Sequence, residues 1–316
     1  MSTQKWVLVL VTHDGPFHAD DVLAVAWMIH THPFARIDIV RTRDEAKLQA
    51  ALNDGMSILI DVGGKCKPSM GWLDHHMPEG RPTWEDGAPM AAAGLCLHYT
   101  CKEYGISVDE LPDEIVALFK HVDAVDNALS APTNFQFSRL VGECNPSRVN
   151  ITASDFNKSF MRVVKITQLM LSGMFRGEFM DIDDAQRFFE IQAEPLLKRH
   201  KQDLQESETR LKSFMGLWKG SSTLMLDNFE PSAKLLLVGM PGLKLYAFPA
   251  VGNNNEYMVQ VAPKTTFKFP TAWWGLYEKD LKVAGAPEGV QYCHHAGFLC
   301  KVANKEVAQQ LLNKFK

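Results

Sequence analysis

The sequence predicts an α/β fold in three parts: a domain over 1–150 with a mainly parallel sheet flanked by helices, a helical connector over 151–215, and a smaller α+β domain over 216–316. Three observations lead there. Short β-branched runs alternate with helical patterns at the start of the chain, the mark of βαβ units and a parallel sheet. A charged stretch with helical periodicity fills the middle, and strand-like runs return after Ser222. At 316 residues the chain has room for two cores, because one core usually stops growing near ~250–300 residues.

The first strand is "WVLVLVT" (6–12), followed by helical periodicity in "DVLAVAWMIHTH" (21–32). "IDIVRT" (37–42) reads as the second strand, and "DEAKLQAALNDG" (44–55) as a helix closed by Gly55. "SILIDVGG" (57–64) is a third apolar run ending in Asp and two glycines. Helices are expected at about Ala88–Tyr104 and about Pro112–Leu129, the second opened by Pro112 with Asp113 and Glu114 at the positive helix end. From 155 to 215 the chain is helical, and "EPLLKRHKQDLQESETRLKSFM" suits an exposed connecting helix. "TLMLDNF", "KLLLVGM" (234–240), "LKLYAFPA" and "EYMVQVAP" read as strands, and "KEVAQQLLNKF" as a last amphipathic helix. No internal repeat or low-complexity tract interrupts this order.

Composition narrows the class. With 46% hydrophobic and 22% charged residues the chain reads as a soluble globular protein, and no run reaches the roughly twenty apolar residues of a membrane span. The opening residues carry one lysine and a strand-like run, without the cleavage site or Arg/Ser-rich look of a targeting segment. An intracellular, cytoplasmic protein with no membrane partner is expected. Cys66, Cys96, Cys101, Cys144, Cys293 and Cys300 form no Cys-x-x-Cys pair, so reduced, mostly buried thiols are expected rather than a disulfide frame or thiolate zinc. Residues 1–150 hold 12 basic and 20 acidic side chains, whereas 216–316 hold 11 and seven. That asymmetry suits a cation-loaded pocket beside an anion-binding lid, or is plain scatter of surface charge.

Four segments of the first domain bring His and Asp to strand or helix ends. They are "THDGPFHADD" (His13, His18, Asp20, Asp21), "LIDVGG" (Asp61), "LDHHM" (Asp74, His75, His76) and "HVDAVDN" (His121, Asp123, Asp126). In parallel sheets ligands bind outside the carboxyl ends of strands, where His13 and Asp61 are expected. A lone strand-end Asp is ordinarily a cap or turn residue. A lone His is usually structural, and Asp123 and Asp126 on one helix face are commonly a solvated stripe. Their joint occurrence at one sheet edge is what points to a site. Carboxylates and imidazoles without thiolates suit Mn²⁺ or Mg²⁺, with Zn²⁺ less suited. Two such ions can serve an in-line displacement at phosphorus.

This order of motifs resembles the DHH phosphoesterase superfamily, and within it the melanocyte-proliferating-gene exonuclease family. "THDGPFHADDVLA", "DVGGKCKPSMGWLDHHM", "VDAVDN", "SRLVGECNP", "PTAWWGL" and "CHHAGF" carry the resemblance over about residues 9–300. The run from Asp61-Val62-Gly63-Gly64 to Asp74-His75-His76 is its most specific part. The resemblance implies a DHH-type fold for the first domain. It implies His13, His18 and Asp61 on one metal, and Asp20, Asp61, His75 and an aspartate of "VDAVDN" on the other. Asp61 bridges in that scheme. Asp126 is favoured as the last ligand because it precedes the turn "NALSAPT", with Asp123 the alternative. Superfamily members more often have Asp where this chain has His18, though a His there fits the exonuclease branch. His76 is implied to face the substrate phosphate, and Asp74 to orient an imidazole.

Substrate contacts are expected from both domains. Arg139 is the candidate cation for charge on the phosphate, against the ordinary reading of a structural arginine. In the second domain, the resemblance implies that the glycine-rich turn in "VQYCHHAGFLCKV" binds the nucleotide chain through His294 and Gly297. Cys300 and Lys301 stand where the family usually has glycines, so Lys301 would supply a charge and His295 a donor instead. Trp273 and Trp274 are candidates to stack on bases, although a Trp pair is more often core. The expected activity is a two-metal phosphodiesterase, a 3′-to-5′ exoribonuclease by resemblance, releasing nucleoside monophosphates from single-stranded RNA or short oligonucleotides. The acidic total charge argues against wrapping a duplex. The alternatives are a pyrophosphatase or nucleotide phosphatase with the same metals, or a single-zinc amidohydrolase.

Overall fold

In this computed structural model the described residues are 7–316 except 78–80, 132, 134–135, 148–150, 217, 252 and 295. The chain forms two compact units, Met1–Pro146 with Ser154–Lys198, and Ser147–Ala153 with Arg199–Lys316.

The first unit is built as β1 (Val7–Thr12), α1 (Ala19–Thr31), β2 (Arg36–Arg41), α2 (Glu45–Asp54) and β3 (Ile58–Ile60), then the short strands β4 (Cys66–Lys67) and β5 (Trp72–Leu73). The sheet order is β2-β1-β3-β5-β4. β1 pairs in parallel with β2 and β3, and β3 with β5; only β4 runs antiparallel. This matches the expected α/β class with a mainly parallel sheet. α2 carries the chain back past β1 to its other side, so the strand order reverses between β1 and β3. Such a reversal leaves a crevice at the strand carboxyl ends.

Local signals account for these elements. The Asp44 carboxylate accepts from the Lys47 N–H at 3.0 Å at the start of α2, and Gly55 ends it at φ 66. All three residues of β3 are buried, as befits a strand covered on both faces. α1 is buried from Ala19 to Met28 and is walled in by α3 (Ala92–Tyr104), α4 (Asp113–Asp126) and α5 (Phe137–Glu143). One core cluster joins Leu10, Phe17, Trp27 and Phe119 to Phe160 of α6 (Ala153–Phe175) and Phe189 of α7 (Ile182–Met215). Two long helices thus fill the stretch read as helical, and α7 runs from the first unit into the second. No described helix is long and apolar enough to cross a membrane.

The second unit has the sheet order β6-β7-β8-β10-β9, from β6 (Thr223–Met225), β7 (Leu245–Ala250), β8 (Asn253–Val261), β9 (Val290–Cys293) and β10 (Leu299–Val302). Only β6–β7 is parallel. Besides the end of α7, the helices here include α8 (Ala233–Leu236), α9 (Glu278–Val283) and α10 (Lys305–Lys314), and α10 buries Ala308, Leu311 and Leu312 against the sheet. One expected strand is wrong: 234–240 falls in α8 and a 3₁₀ turn. Ala233, Leu237 and Met240 are buried while Leu235 is 76% exposed, which is helical spacing rather than alternation. The Ser232 hydroxyl, donating to the Leu204 carbonyl at 3.0 Å, pins the start of that turn. Trp273 is not available to stack on bases: it is 2% exposed, packed against Phe269 and Phe315, with its indole N–H on the Ala284 carbonyl at 3.0 Å.

Candidate metal centre

Three parallel strands end at neighbouring points of one sheet edge, and each is followed at once by a polar residue. β1 ends at Thr12 before His13, β3 at Ile60 before Asp61, and β5 at Leu73 before Asp74. Asp61 adopts φ 57, a left-handed conformation costing about 1 kcal/mol that Asp tolerates better than most residues. Gly63 and Gly64 continue the turn at φ 100 and 65, bringing the Gly64 N–H to Asp74 Oδ2 at 2.6 Å. The other oxygen of Asp74 accepts from the His76 N–H at 3.0 Å and lies 2.9 Å from His76 Nδ1. Asp74 therefore clamps both the glycine turn and the His76 ring.

Asp61 lies between two imidazoles. Its Oδ2 is 3.2 Å from His13 Nε2, and its Oδ1 is 3.2 Å from His75 Nε2 and 3.4 Å from His76 Nδ1. His75 Nε2 also lies 3.2 Å from Asp126 Oδ2 and 3.7 Å from Asp20 Oδ2. Among the described residues three groupings have ligand atoms within 4.8 Å of one another: His13, His18 and Asp61; Asp61, His75 and His76; and His18, Asp20 and Asp126. The structure thus gathers all the sequence-expected metal residues except Asp123. That carboxylate is fully buried elsewhere, accepting from Trp84 Nε1 at 2.9 Å and from the Gly94 N–H at 3.1 Å. Burial pushes Asp123 up to about 7 against the pull of those two donors.

The donor set fits divalent cations. Asp20 is 0% exposed and neither of its carboxylate oxygens has a hydrogen-bond donor among the described residues. His13 Nε2, His75 Nε2 and Asp61 Oδ1 are likewise buried with no aligned hydrogen bond among the described residues, although Asp61 lies 3.2 Å from each ring. A buried carboxylate without a donor costs several kcal/mol unless a cation compensates it. The charges respond as expected. Burial and the Asp61 and Asp126 charges push Asp20 well above the usual carboxylate range. Burial also opposes ionisation of Asp61, but the His13 and His75 rings outweigh it and hold the group low. His75 is lowered by burial and raised more by Asp126 and Asp61, reaching about 10.

Asp21 follows Asp20 in the same motif but takes a different part. Its Oδ1 accepts from the His18 N–H at 2.9 Å and its Oδ2 lies 3.3 Å from His13 Nε2, so it ties the start of α1 to the centre. The available signal is its position three residues after the N-cap, the acidic half of a capping box.

The residues expected to touch substrate belong to both units. Arg139, on α5, donates to Glu143 at 2.8 Å. His294, Gly297 and Lys301 belong to the second unit. His294 Nδ1 accepts from the Ala296 N–H at 3.1 Å, Lys301 pairs with Glu256 at 2.9 Å, and Trp274 fills the space where a side chain on Gly297 would go. His295 lies outside the described residues.

Residues 9–315 match the model of MYG1_exonuc, Uncharacterised protein family (UPF0160). The MYG1 exonuclease of Mus musculus is 28% identical over 324 residues, covering 91% of this chain and 79% of that protein. The MYG1 protein of Chlamydia pneumoniae is 28% identical over 316 residues, covering 95% and 94%. Among solved structures, the pGpG-specific phosphodiesterase PggH of Vibrio cholerae aligns over 99% of this chain and 97% of its own at 16% identity, with a TM-score of 0.46. With the family model running from within β1 to the residue after α10, the chain belongs to the MYG1_exonuc family.

Proposed function

We infer that the chain is a hydrolase acting on phosphodiester bonds, in keeping with the exonuclease names of its relatives. We propose that it uses two divalent cations to release nucleoside monophosphates from the 3′ end of single-stranded RNA or short oligonucleotides. The observation that carries the two-cation reading is Asp61, whose two oxygens face different histidines at 3.2 Å each. In this reading residues 1–150 hold the centre and residues 216–316 bind the nucleotide chain.

His13, His18 and Asp61 would hold one cation, and Asp20, Asp61, His75 and Asp126 the other. Bound there, the pair would supply a hydroxide at neutral pH and offset charge on the phosphate. The donor chemistry, oxygen and imidazole without thiolate, favours Mn²⁺ or Mg²⁺ over Zn²⁺. The chain's own residues do the rest. Asp74 holds His76 Nδ1, which leaves Nε2 as the nitrogen that meets substrate on a side chain 63% exposed. The Asp74 bond raises the His76 pKa, with burial working against it, so Nε2 is protonated more readily and can donate to the phosphate or leaving oxygen.

The test is a time course on purified protein with Mn²⁺, using one RNA labelled at its 5′ end and another at its 3′ end. A descending ladder from the first and immediate labelled mononucleotide from the second are expected. Immediate mononucleotide from the 5′ label would refute the polarity. Pyrophosphate hydrolysed in preference to RNA would refute the exonuclease reading.

A further inference from the structure

A cavity of about 670 Å³ opens beside α3, lined by none of the metal-centre residues. That volume lies within the ~300–1,000 Å³ of small-molecule sites. Pro68, Pro82, Met90 and Leu95 make its wall largely apolar, while His98, Tyr99 and Lys102 bring polar groups to it. His98 Nε2 is buried with no hydrogen-bond partner among the described residues. Burial lowers the His98 pKa, so the ring is neutral near pH 7 and offers a nitrogen rather than a charge. The acidic residue of the lining, Glu103, already faces His32 Nε2 at 3.4 Å. Among the described residues, Lys102 remains as the cation of the cavity.

We propose that this cavity binds a small amphipathic anion, with an apolar ring or chain on the Pro68–Leu95 wall and a carboxylate, sulfonate or phosphate at Lys102. Apolar lining with few convergent polar groups is the usual make-up of such sites, and the charge of Lys102 selects the sign of the ligand. The occupant sits between the segments that enter and leave Asp74–His76, since Pro68 precedes β5 and Pro82 follows the histidines. Nothing in the proposal depends on the metal centre being catalytic.

The probe is 8-anilinonaphthalene-1-sulfonate, an aromatic anion whose fluorescence rises on leaving water, titrated into the full chain. One site per chain is expected. Lys102 and Ser69 are both exposed, so K102E and S69W should melt with the unaltered protein. K102E should weaken the probe about tenfold through charge reversal, and S69W should block the cavity mouth and abolish binding. The neutral analogue N-phenyl-1-naphthylamine should lose less than about twofold with K102E, because it carries no charge for Lys102 to meet. Absence of probe binding, or binding indifferent to both substitutions, would overturn the site. Equal losses for the charged and neutral probes would overturn the selection for an anion.

Discussion

Substituting Gly94 by Ala separates local propensity from packing. Gly94 lies in the first turn of α3, and in an exposed helix Ala would stabilise by about 1 kcal/mol over Gly. Here a Cβ would run into Asp123 Oδ2 and come within 2.9 Å of Trp84 Cζ2 and 3.1 Å of Asp123 Cγ. Asp123 cannot move aside cheaply, because it is fully buried and held by the Trp84 indole and the Gly94 N–H. Overpacking costs roughly 1–3 kcal/mol, and losing a hydrogen bond to a buried acceptor about another 1–3 kcal/mol. Set against the helix gain, a net loss of about 1–5 kcal/mol follows. The strain should also reach Asp126, one turn along α4 and 3.2 Å from His75, and weaken Mn²⁺ binding. Urea denaturation gives the first quantity and calorimetric metal titration the second. A G94A protein as stable as the wild type, or more so, would refute the packing argument.

Other outcomes follow from the same geometry. D61N keeps a residue type that accepts φ 57 but removes the shared charge, so folding should survive while hydrolysis falls by about 10³-fold or more; circular dichroism with a turnover assay checks both halves. D74A frees His76 and should cost about 10–100-fold in kcat, with KM moving less. D20A removes a buried carboxylate that has no donor among the described residues, so the melting temperature should rise in chelator and fall relative to wild type in Mn²⁺. In the wild type, Mn²⁺ at about 100 times its Kd should add about 2.7 kcal/mol of stability, read from denaturation midpoints with and without EDTA. Asp54 accepts from the N–H groups of Met56 and Ser57 at 2.8 Å each and from the Ser57 hydroxyl at 2.6 Å. Burial tends to raise its pKa, but the Ser57 hydroxyl and the two N–H groups lower it overall. Its stabilisation is therefore present above the unfolded value near ~3.9 and is lost as pH falls through the lower folded one. D54A should cost about 0.5–1.5 kcal/mol at pH 7, and its gap to wild type should close in acid.

The parts legible in the sequence are those that local pattern controls. "WVLVLVT" and "SILIDVGG" read as strands because β-branched runs bounded by polar or glycine residues leave few other choices, and that placed His13 and Asp61 at one edge. Residues 234–240 went the other way: a short apolar run suits a strand or a helix equally until burial reveals which side chains point inward. Asp123 and Asp126 share one face of α4, and nothing local distinguishes them. Trp84 and Gly94, distant in sequence, take Asp123 and leave Asp126 facing His75. Trp274 lying against Gly297 is likewise a contact between segments, and a glycine-rich motif reads the same whether the open space serves a ligand or an indole ring.

That β1, β3 and β5 each stop one residue short of a polar side chain makes the sheet a ruler for the centre. Adjacent strands lie ~4.8 Å apart, so the backbones bearing His13, Asp61 and Asp74 are spaced by main-chain hydrogen bonds rather than by loop conformation. Side chains alternate faces along a strand, so deleting one residue from β3 would point every later side chain of that strand the opposite way. Length changes in the loops remote from these strand ends, by contrast, leave the ruler intact. Insertions and deletions among related chains are therefore expected to collect in the loops and to spare the strands, whatever happens to side-chain identity elsewhere.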